Sequence, residues 1–324
     1  MTAIDGLLVV VRAVHYGATI VLFGEMVFAF LISGPSASAR TLPGVERAQG
    51  AADRRFRRVA VVAWLSMVAS GACWLALVTV RMSGEFAAAI TASAVATVLG
   101  STDFGQAWTA RALMALAVAL LWQIAHAGTL RRPWVRVLYV GVTGGLLASL
   151  AWAGHANADV GGASVIHHTG DAAHLIAAGA WLGGLAPLAS LLATLGGSPA
   201  THDIDDCAAI AARFGNCAAL SVGVLVLTGI VNAYYLVPAP EALLESTYGN
   251  VLLAKLLLFS LMLAVAAINR TRLTKILLAK ERDDASRRDA ARRLKRNVWI
   301  EQALAAGVLV LVAVLGVSPP PMRM

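Results

Sequence analysis

The segment 154–174 gathers side chains that bind metal ions. It reads GHANADVGGASVIHHTGDAAH and includes four of the chain's seven histidines as well as two aspartates. Imidazole nitrogens suit copper, zinc, iron and nickel, and a carboxylate completes or orients such a site. A solvated polar loop is the simpler explanation for any one of these histidines, but their concentration here predicts a metal site. The candidate ligands are His155, His167, His168, Asp171 and His174.

Helical spacing places part of this set on one face of a helix. For a helix that begins near Val165, residues three, four and seven apart are neighbours on the helix surface. His155 closes the preceding helix, and the glycine pair 161–162 offers a bend across which it can fold back. The spacing does not name the metal. The residues expected to share one face are His167, Asp171 and His174.

The composition of the whole chain is that of a membrane protein. Of its 324 residues, 59% are hydrophobic and only 14% are charged, with a mean hydropathy of +0.74; about 25% charged is typical of soluble domains. The chain has no nucleic-acid-binding motif, and no GxSxG, P-loop or HExxH motif of an enzyme. We therefore expect a single membrane domain over 1–324 whose partner is the lipid bilayer, with neither nucleic-acid binding nor catalysis.

Eight apolar segments are long enough to cross a hydrocarbon layer about 30 Å thick. Backbone groups in lipid must be satisfied internally, so these segments are predicted to be α-helices of an all-α, polytopic membrane fold. The shorter apolar stretch 86–100 is predicted to be interfacial or re-entrant. The predicted spans are 6–32, 59–80, 105–126, 135–154, 171–194, 214–236, 250–269 and 298–317.

The distribution of Lys and Arg predicts the orientation of the chain. With eight alternating spans, four connectors lie on the same side, and they carry 21 of the 26 basic residues. The positive-inside rule places this side in the cytoplasm and both termini in the periplasm. The histidine-rich segment then lies on the periplasmic side. The four connectors are 33–58, 127–136, 195–213 and 270–297.

Some side chains inside the predicted spans are candidates for carrying a cation further. His15 lies about 14 Å along the first span, at about 1.5 Å per residue, and we expect it to extend the histidine cluster inward. A hydrogen bond to a neighbouring helix is the alternative for His15. Glu25 is a possible relay point or the structural partner of a buried base. Met26 and Met67 are weaker relay candidates, because isolated methionines are typical of core packing.

Charged residues near the ends of the spans have simpler expected roles. Arg111 and Lys255 fall in the outer turns of the third and seventh spans, from which their long side chains can reach the interface. Glu301, near the inner end of the last span, is expected to form an interfacial charge pair with Arg296.

Most of the chain resembles the copper resistance protein D family (CopD), whose members are integral inner-membrane proteins. The similarity is strongest over 104–320, and a family-like histidine also occurs in the first span. The segments that carry the resemblance are FGQAWTARALM, GHAN followed by DAAHLIAAGAWLGGLAPL, RFGNCAALSVGVLVLTGIVNAYYL, YGNVLLAKLLLFSLMLAVAAINR and WIEQALAAGVLVLVAVLGVSPPP.

The resemblance implies a protein that handles copper, as Cu(I) or Cu(II), beside a periplasmic copper chaperone of the CopC type. It matches His155, His174 and His15 to family positions, whereas His167 and His168 fall in a less regular part of the pattern. The resemblance implies capture of periplasmic copper and its movement inward across the membrane, because the family is regarded as an uptake system. Two alternatives stay open: a haem b protein with histidine ligands drawn from His15, His126, His155 and His174, and a copper sensor or docking partner that does not transport.

Overall fold

A computed structural model describes residues 2–32, 43–125, 133–153, 162–195, 201–236 and 241–319. Within these ranges the chain is helical apart from short turns and contains no β-strand. The predicted all-α class is therefore confirmed. The α-helices are α1 (Ala3–Val27), α2 (Pro43–Ser83), α3 (Ala92–Ser101), α4 (Asp103–Ala125), α5 (Pro133–Ala148), α6 (Gly162–Ala178), α7 (Leu185–Thr194), α8 (Thr201–Leu236), α9 (Ala242–Glu245), α10 (Thr247–Ile268), α11 (Thr274–Leu278) and α12 (Asp284–Leu315).

Short helical segments of other types adjoin these α-helices. A 3₁₀ helix follows α2 and another follows α5, and three π-helical segments extend or join α-helices without breaking them. Because of these joins, α6 with α7 and α10 with α11 each form one continuous rod. The 3₁₀ helices are Phe86–Ile90 and Ser149–Ala153, and the π-helical segments are Phe28–Ile32, Gly179–Gly183 and Asn269–Leu273.

Eight helical rods in the described ranges are long and apolar enough to cross a membrane, as the sequence predicts. Several continue well beyond the apolar core into the charged connectors, most clearly α8 and α12. The spans are Ala3–Phe30, Arg57–Ser83, Asp103–Gln123, Trp134–Trp152, His167–Ala193, Asp203–Tyr234, Thr247–Leu278 and Asp284–Leu315. The orientation of the termini remains a prediction from charge.

The segment predicted to be interfacial or re-entrant forms two short helices, Phe86–Ile90 and α3. The chain turns into it at Gly84, whose positive φ of 79° is a conformation that favours glycine. α3 then packs against the start of α4, where Gly105 contacts the backbone of Val98 and Leu99. The preceding 3₁₀ helix ends at Ile90, an apolar residue that is 91% exposed. Only ten residues long, α3 is too short to cross a bilayer.

The first span occupies the centre of the bundle. It packs against α2, α5, α12 and the π-helical segment Gly179–Gly183. Small residues allow this close packing: a Cβ at Gly24 would overlap the backbone of Gly183, and a Cβ at Gly183 would overlap the carbonyl oxygen of Ile20. Close backbone approach at small residues is a general source of helix association in membranes, where apolar burial between helices gains little.

A buried arginine ties three helix ends together on the side of the basic connectors. Arg287, only 1% exposed, donates hydrogen bonds to the carbonyl oxygen of Leu277 and to the carboxylate of Asp205. α12 itself starts at the N-cap Asp283, which accepts a hydrogen bond from the backbone N–H of Ser286. Hydrogen bonds from the Ser286 side chain and backbone lower the pKa of Asp283 below its usual value.

Replacing Gly24 with Ala should destabilise the protein by about 1–3 kcal/mol, the usual cost of overpacking, because its methyl group has no space against Gly183. Thermal unfolding in detergent measures this. Gly223→Ala is the matched control, since no atom lies within 4 Å of a Cβ built there and alanine is the better helix former. Equal melting temperatures for both variants would contradict the proposed contact.

Candidate metal site

Four of the five predicted ligands of the histidine-rich segment lie on α6, which packs mainly against α8. α6 begins at Gly162, three residues before the expected start. Its polar face meets α8 near one end of the bundle. The fifth predicted ligand, His155, lies outside the described residues.

The ring of His174 is oriented by Thr228 of α8. His174 Nδ1 lies 2.9 Å from Thr228 Oγ1, and this hydroxyl donates its single proton to the carbonyl oxygen of Val224, 2.7 Å away. Thr228 Oγ1 therefore accepts from His174, and Nδ1 carries the proton of the neutral ring. This tautomer leaves the lone pair on Nε2, for which the described part of the chain provides no hydrogen-bond donor. A histidine held this way by its other nitrogen is ready to bind a metal ion.

Asp171 lies beside His174 on the same face and is held by Asn232 of α8. Asn232 Nδ2 donates to Asp171 Oδ1 over 2.5 Å. The other amide atom, Asn232 Oδ1, is buried without a hydrogen-bond partner among the described residues. Asp171 also interacts electrostatically with His167 and with Lys255 of α10. The structure thus brings an imidazole, a carboxylate and an unpaired amide oxygen to one α6–α8 interface.

The adjacent histidines His167 and His168 point to different surroundings. His167 is 2% exposed and lies inside the bundle. His168 packs against Trp152 with ring centroids 5.3 Å apart and lines an open cavity of about 630 Å³. α4, the end of the fourth span and α6 form this cavity. Its other lining residues include Asp103, Gln106, Ser149 and Thr169.

His15 has both ring nitrogens engaged, unlike His174. Nδ1 lies 3.0 Å from the Met67 carbonyl oxygen and 3.1 Å from Ser70 Oγ, which donates its own proton to a backbone carbonyl. Nδ1 is therefore the protonated nitrogen, and Nε2 accepts from Arg111 Nη2 at 2.5 Å. The contacts of His15 are with α2 and α4, including Trp74 and Trp108. The structure does not show it joining the α6 histidines.

The sequence suggested that the side chain of Arg111 reaches outward to the membrane interface. The structure shows that it does not. It is 3% exposed and donates from Nη1 to the Leu146 carbonyl oxygen and to Ser149 Oγ, in addition to its bond with His15. Arg12 is likewise buried and donates to the carbonyl oxygen of Gly316. Each guanidinium thus meets carbonyl groups near a helix C-terminus, whose partial negative charge compensates the cation. Lys255 also differs from expectation, because it is partly buried and interacts with Asp171.

The expected pair between Glu301 and Arg296 is wrong. Glu301 is 2% exposed and accepts from Asn269 Nδ2 over 2.6 Å, while Arg296 lies exposed on α12. Asn269 also accepts from Asn297 over 2.8 Å. The two side chains lie five residues apart on α12 and so on different faces of the helix, and Glu301 faces Asn269 while Arg296 faces outward.

The three relay candidates are buried in the bundle, where their environments differ. Met26 and Met67 belong to an apolar cluster formed by α1, α2, α4 and α5. Glu25 is 1% exposed, and neither of its carboxylate oxygens has a hydrogen-bond partner within the described ranges. Of the three, Glu25 is the side chain with unsatisfied polar atoms. A relay role for these residues remains a prediction.

Sequence reasoning missed Thr228 and Asn232 as parts of the site. Their spacing could have indicated them. Thr228 and Asn232 are four residues apart on α8, and their partners His174 and Asp171 are three residues apart on α6, so each pair shares one helix face. In the part of the chain that the structure describes, no three His, Cys, Asp or Glu side chains converge closely enough to hold a metal ion by themselves. A complete site therefore needs amide oxygens, a shift of α6, or ligands from 154–161.

The fold and this site define a polytopic, all-helical membrane protein with a histidine- and aspartate-bearing polar interface near one end of its bundle. The family called copper resistance protein D-like, N-terminal domain, matches residues 1–165, and the copper resistance protein D family matches residues 208–315. The chain belongs to the copper resistance protein D family, which confirms the resemblance seen in its sequence.

Three relatives support this assignment. The chain is 32% identical to copper resistance protein D of Pseudomonas syringae pv. tomato over 326 residues, covering 98% of both chains. It is 30% identical to inner membrane protein YebZ of Escherichia coli (strain K12), covering 68% of this chain and 70% of YebZ. It is 30% identical to copper transport protein CutJ of Bacillus subtilis (strain 168), covering 55% of this chain and 29% of CutJ. No solved structure gives a significant match.

Arg111→Gln should destabilise the protein by about 1–3 kcal/mol, the cost of leaving buried hydrogen-bonding groups unpaired. The groups affected are the Leu146 carbonyl and His15 Nε2. Denaturant unfolding in detergent measures the change. Arg270→Gln is the control, because Arg270 also makes two hydrogen bonds but is exposed, and we expect a change within about 0.5 kcal/mol. Similar losses in both variants would show that Arg111 has no special structural role.

Proposed function

We propose that this protein is a multi-pass inner-membrane protein that captures copper at the outer end of α6 and moves it inward. Support for copper comes from the family and from the names of two relatives, copper resistance protein D and copper transport protein CutJ. Support for the inner membrane comes from the eight apolar spans and the relative YebZ, named an inner membrane protein. The charge count favours periplasmic termini and a periplasmic position for the histidine-rich segment.

The single observation that carries the proposal is the state of His174. Its Nδ1 proton is held by Thr228, its Nε2 lone pair is left open, and Asp171 lies one turn away. Imidazole nitrogen with carboxylate oxygen suits Cu(II), whereas thioether sulfur suits Cu(I). The oxygen and nitrogen donors at this site match the copper that an oxidising periplasm provides.

The proposed route begins in the open cavity. His168 faces this cavity and His167, the next residue, lies buried toward Asp171. Copper received at His168, with His155 from the adjoining connector, passes to the group of His167, Asp171 and His174. A periplasmic copper chaperone of the CopC type is the proposed donor.

The route then avoids the region around His15. Both nitrogens of His15 are engaged, and the guanidinium of Arg111 directly adjoins Nε2. A second cation beside this buried guanidinium is disfavoured by charge repulsion in a low dielectric. We therefore assign His15 to positioning Arg111. On the inner half of α1, Glu25 is the proposed acceptor, with Met26 and Met67 as accompanying sulfur donors.

We propose that copper moves without ATP hydrolysis by this chain, whose sequence contains no P-loop. A membrane potential that is negative inside favours inward movement of a cation by about 2.3 kcal/mol per elementary charge per 100 mV. Binding of copper by acceptors in the cytoplasm would add to this gradient.

His174→Ala should weaken copper binding by the purified protein, and Thr228→Val should weaken it by about 10–100-fold, the usual effect of removing the group that orients a metal-binding histidine. Isothermal titration with Cu(II) and with Cu(I) measures both. His202→Ala controls for loss of a histidine elsewhere. Thr271→Val controls for loss of a hydroxyl that bonds only to its own helix.

Unchanged copper affinity in both His174→Ala and Thr228→Val would overturn the proposed site. An absorption spectrum of the purified protein tests the haem alternative at the same time. A Soret band at one haem or more per chain would favour a redox protein over a copper carrier. No hydrogen bond or distance in the described ranges singles out a haem-binding histidine pair.

Glu25→Gln should lower the initial rate of copper uptake into proteoliposomes by about tenfold, which corresponds to about 1.4 kcal/mol in the barrier. Copper affinity at the α6 site should stay unchanged, because Glu25 belongs to α1. Fluorescence of a copper-sensitive dye inside the vesicles reports uptake. Binding without flux in the unmodified protein would identify a sensor or docking protein instead of a transporter, and unchanged flux in Glu25→Gln would remove Glu25 from the route.

A further inference from the structure

A second cavity lies between α2 and α4, far along the chain from the histidine-rich segment. It is a groove of about 310 Å³. Its walls are almost wholly apolar, apart from Arg57 and Gln123. Trp64 in one wall links the two helices, because its indole N–H donates to the Ala115 carbonyl oxygen over 3.0 Å. The lining residues are Arg57, Val61, Trp64, Leu65, Ala119, Trp122 and Gln123.

The polar and apolar parts of the groove are separated along the membrane normal. Arg57 begins one apolar span and Gln123 ends another, so both lie at the edge of the hydrocarbon layer. Val61 and Leu65 follow Arg57 at one-turn intervals deeper into the span, and Ala119 lies one turn deeper than Gln123. The groove therefore has a charged mouth at headgroup depth and an apolar interior at the depth of acyl chains.

The charge at the mouth has no partner of its own within the described part of the chain. Arg57 is exposed and forms no ion pair with any carboxylate there. Arg55 and Arg58, its neighbours on α2, are also exposed but do not line the groove. A guanidinium binds a phosphate group through parallel N–H donors. Trp122, next to Gln123 at the end of its span, is suited to the membrane interface, where an aromatic ring has one apolar and one polar environment.

We propose that this groove binds one anionic phospholipid, such as phosphatidylglycerol, in the leaflet that faces the basic connectors. Arg57 holds the phosphate, Trp122 flanks the glycerol region, and Val61, Trp64, Leu65 and Ala119 contact an acyl chain. Basic pockets between spans on the cytoplasmic side are known to select anionic headgroups. The site is separate from the α6 site, so it stands whether or not the protein carries copper.

Native mass spectrometry of the purified full-length protein in detergent, titrated with phosphatidylglycerol, tests the proposal. Arg57→Gln should weaken retention of the first bound lipid about fivefold, the factor equivalent to about 1 kcal/mol per basic residue near an anionic surface. Ala119→Phe should weaken it also, by filling the apolar interior without changing the charge. Phosphatidylcholine should bind less well than phosphatidylglycerol to the unmodified protein.

Arg55→Gln and Arg58→Gln are the matched controls, since each removes one charge from the same helix outside the groove. They should retain the first lipid as the unmodified protein does. Equal loss in Arg57→Gln and in these controls would overturn the site, because it would reduce the effect to overall charge. Equal binding of the two lipids by the unmodified protein would overturn the preference for an anionic headgroup. The comparison of Arg57→Gln with these two controls tests the site even if Ala119→Phe fails to fold.

Discussion

The absence of water from the bilayer interior is the constraint on which this structure depends. A polar side chain in a membrane span must find its hydrogen-bond partner within the protein or remain unsatisfied at a cost. Most of the buried polar groups in the described ranges do find one, as Arg111 does with Leu146 and as Glu301 does with Asn269. The exceptions among the described residues include the carboxylate oxygens of Glu25 and the amide oxygen of Asn232, which have no hydrogen-bond partner there.

The same constraint distinguishes two histidines that look alike in the sequence. His15 and His174 both lie within apolar spans, and both use Nδ1 as a donor. The lone pair of His15 is already occupied by Arg111, whereas that of His174 accepts no hydrogen bond within the described part of the chain. The difference arises from the neighbouring helices: α4 brings a guanidinium to His15, and α8 brings only a threonine to His174.

Buried charged side chains of opposite sign lie in different parts of the bundle. Two guanidiniums, of Arg12 and Arg111, are buried near helix C-termini, where backbone carbonyls compensate them. The α6–α8 interface instead carries the carboxylate of Asp171, and the C-terminal half of α1 carries Glu25. A second cation is disfavoured beside the buried guanidiniums, whereas at the α6–α8 interface the charges of Asp171 and Lys255 oppose each other. The open cavity at His168 adjoins Ser149, the hydrogen-bond partner of Arg111, and so lies at the boundary between these two regions.

The amino-acid sequence by itself determined the helical class and the number of spans, because hydrophobic runs of about 20 residues in lipid have few alternatives to a helix. It also determined that His167, Asp171 and His174 share a helix face, since this follows from spacing within α6. It paired Glu301 wrongly with Arg296, because the two lie on different faces of α12 and Glu301 instead accepts a hydrogen bond from Asn269.

Only the tertiary structure decided which polar atoms remain open. The pairing of Asp171 with Asn232, of His174 with Thr228 and of His15 with Arg111 joins residues more than 50 positions apart. Local spacing contains no information on such contacts, because they depend on which helices pack together and at what depth. The tautomers of His15 and His174 follow from that packing, and so does the open Nε2 of His174.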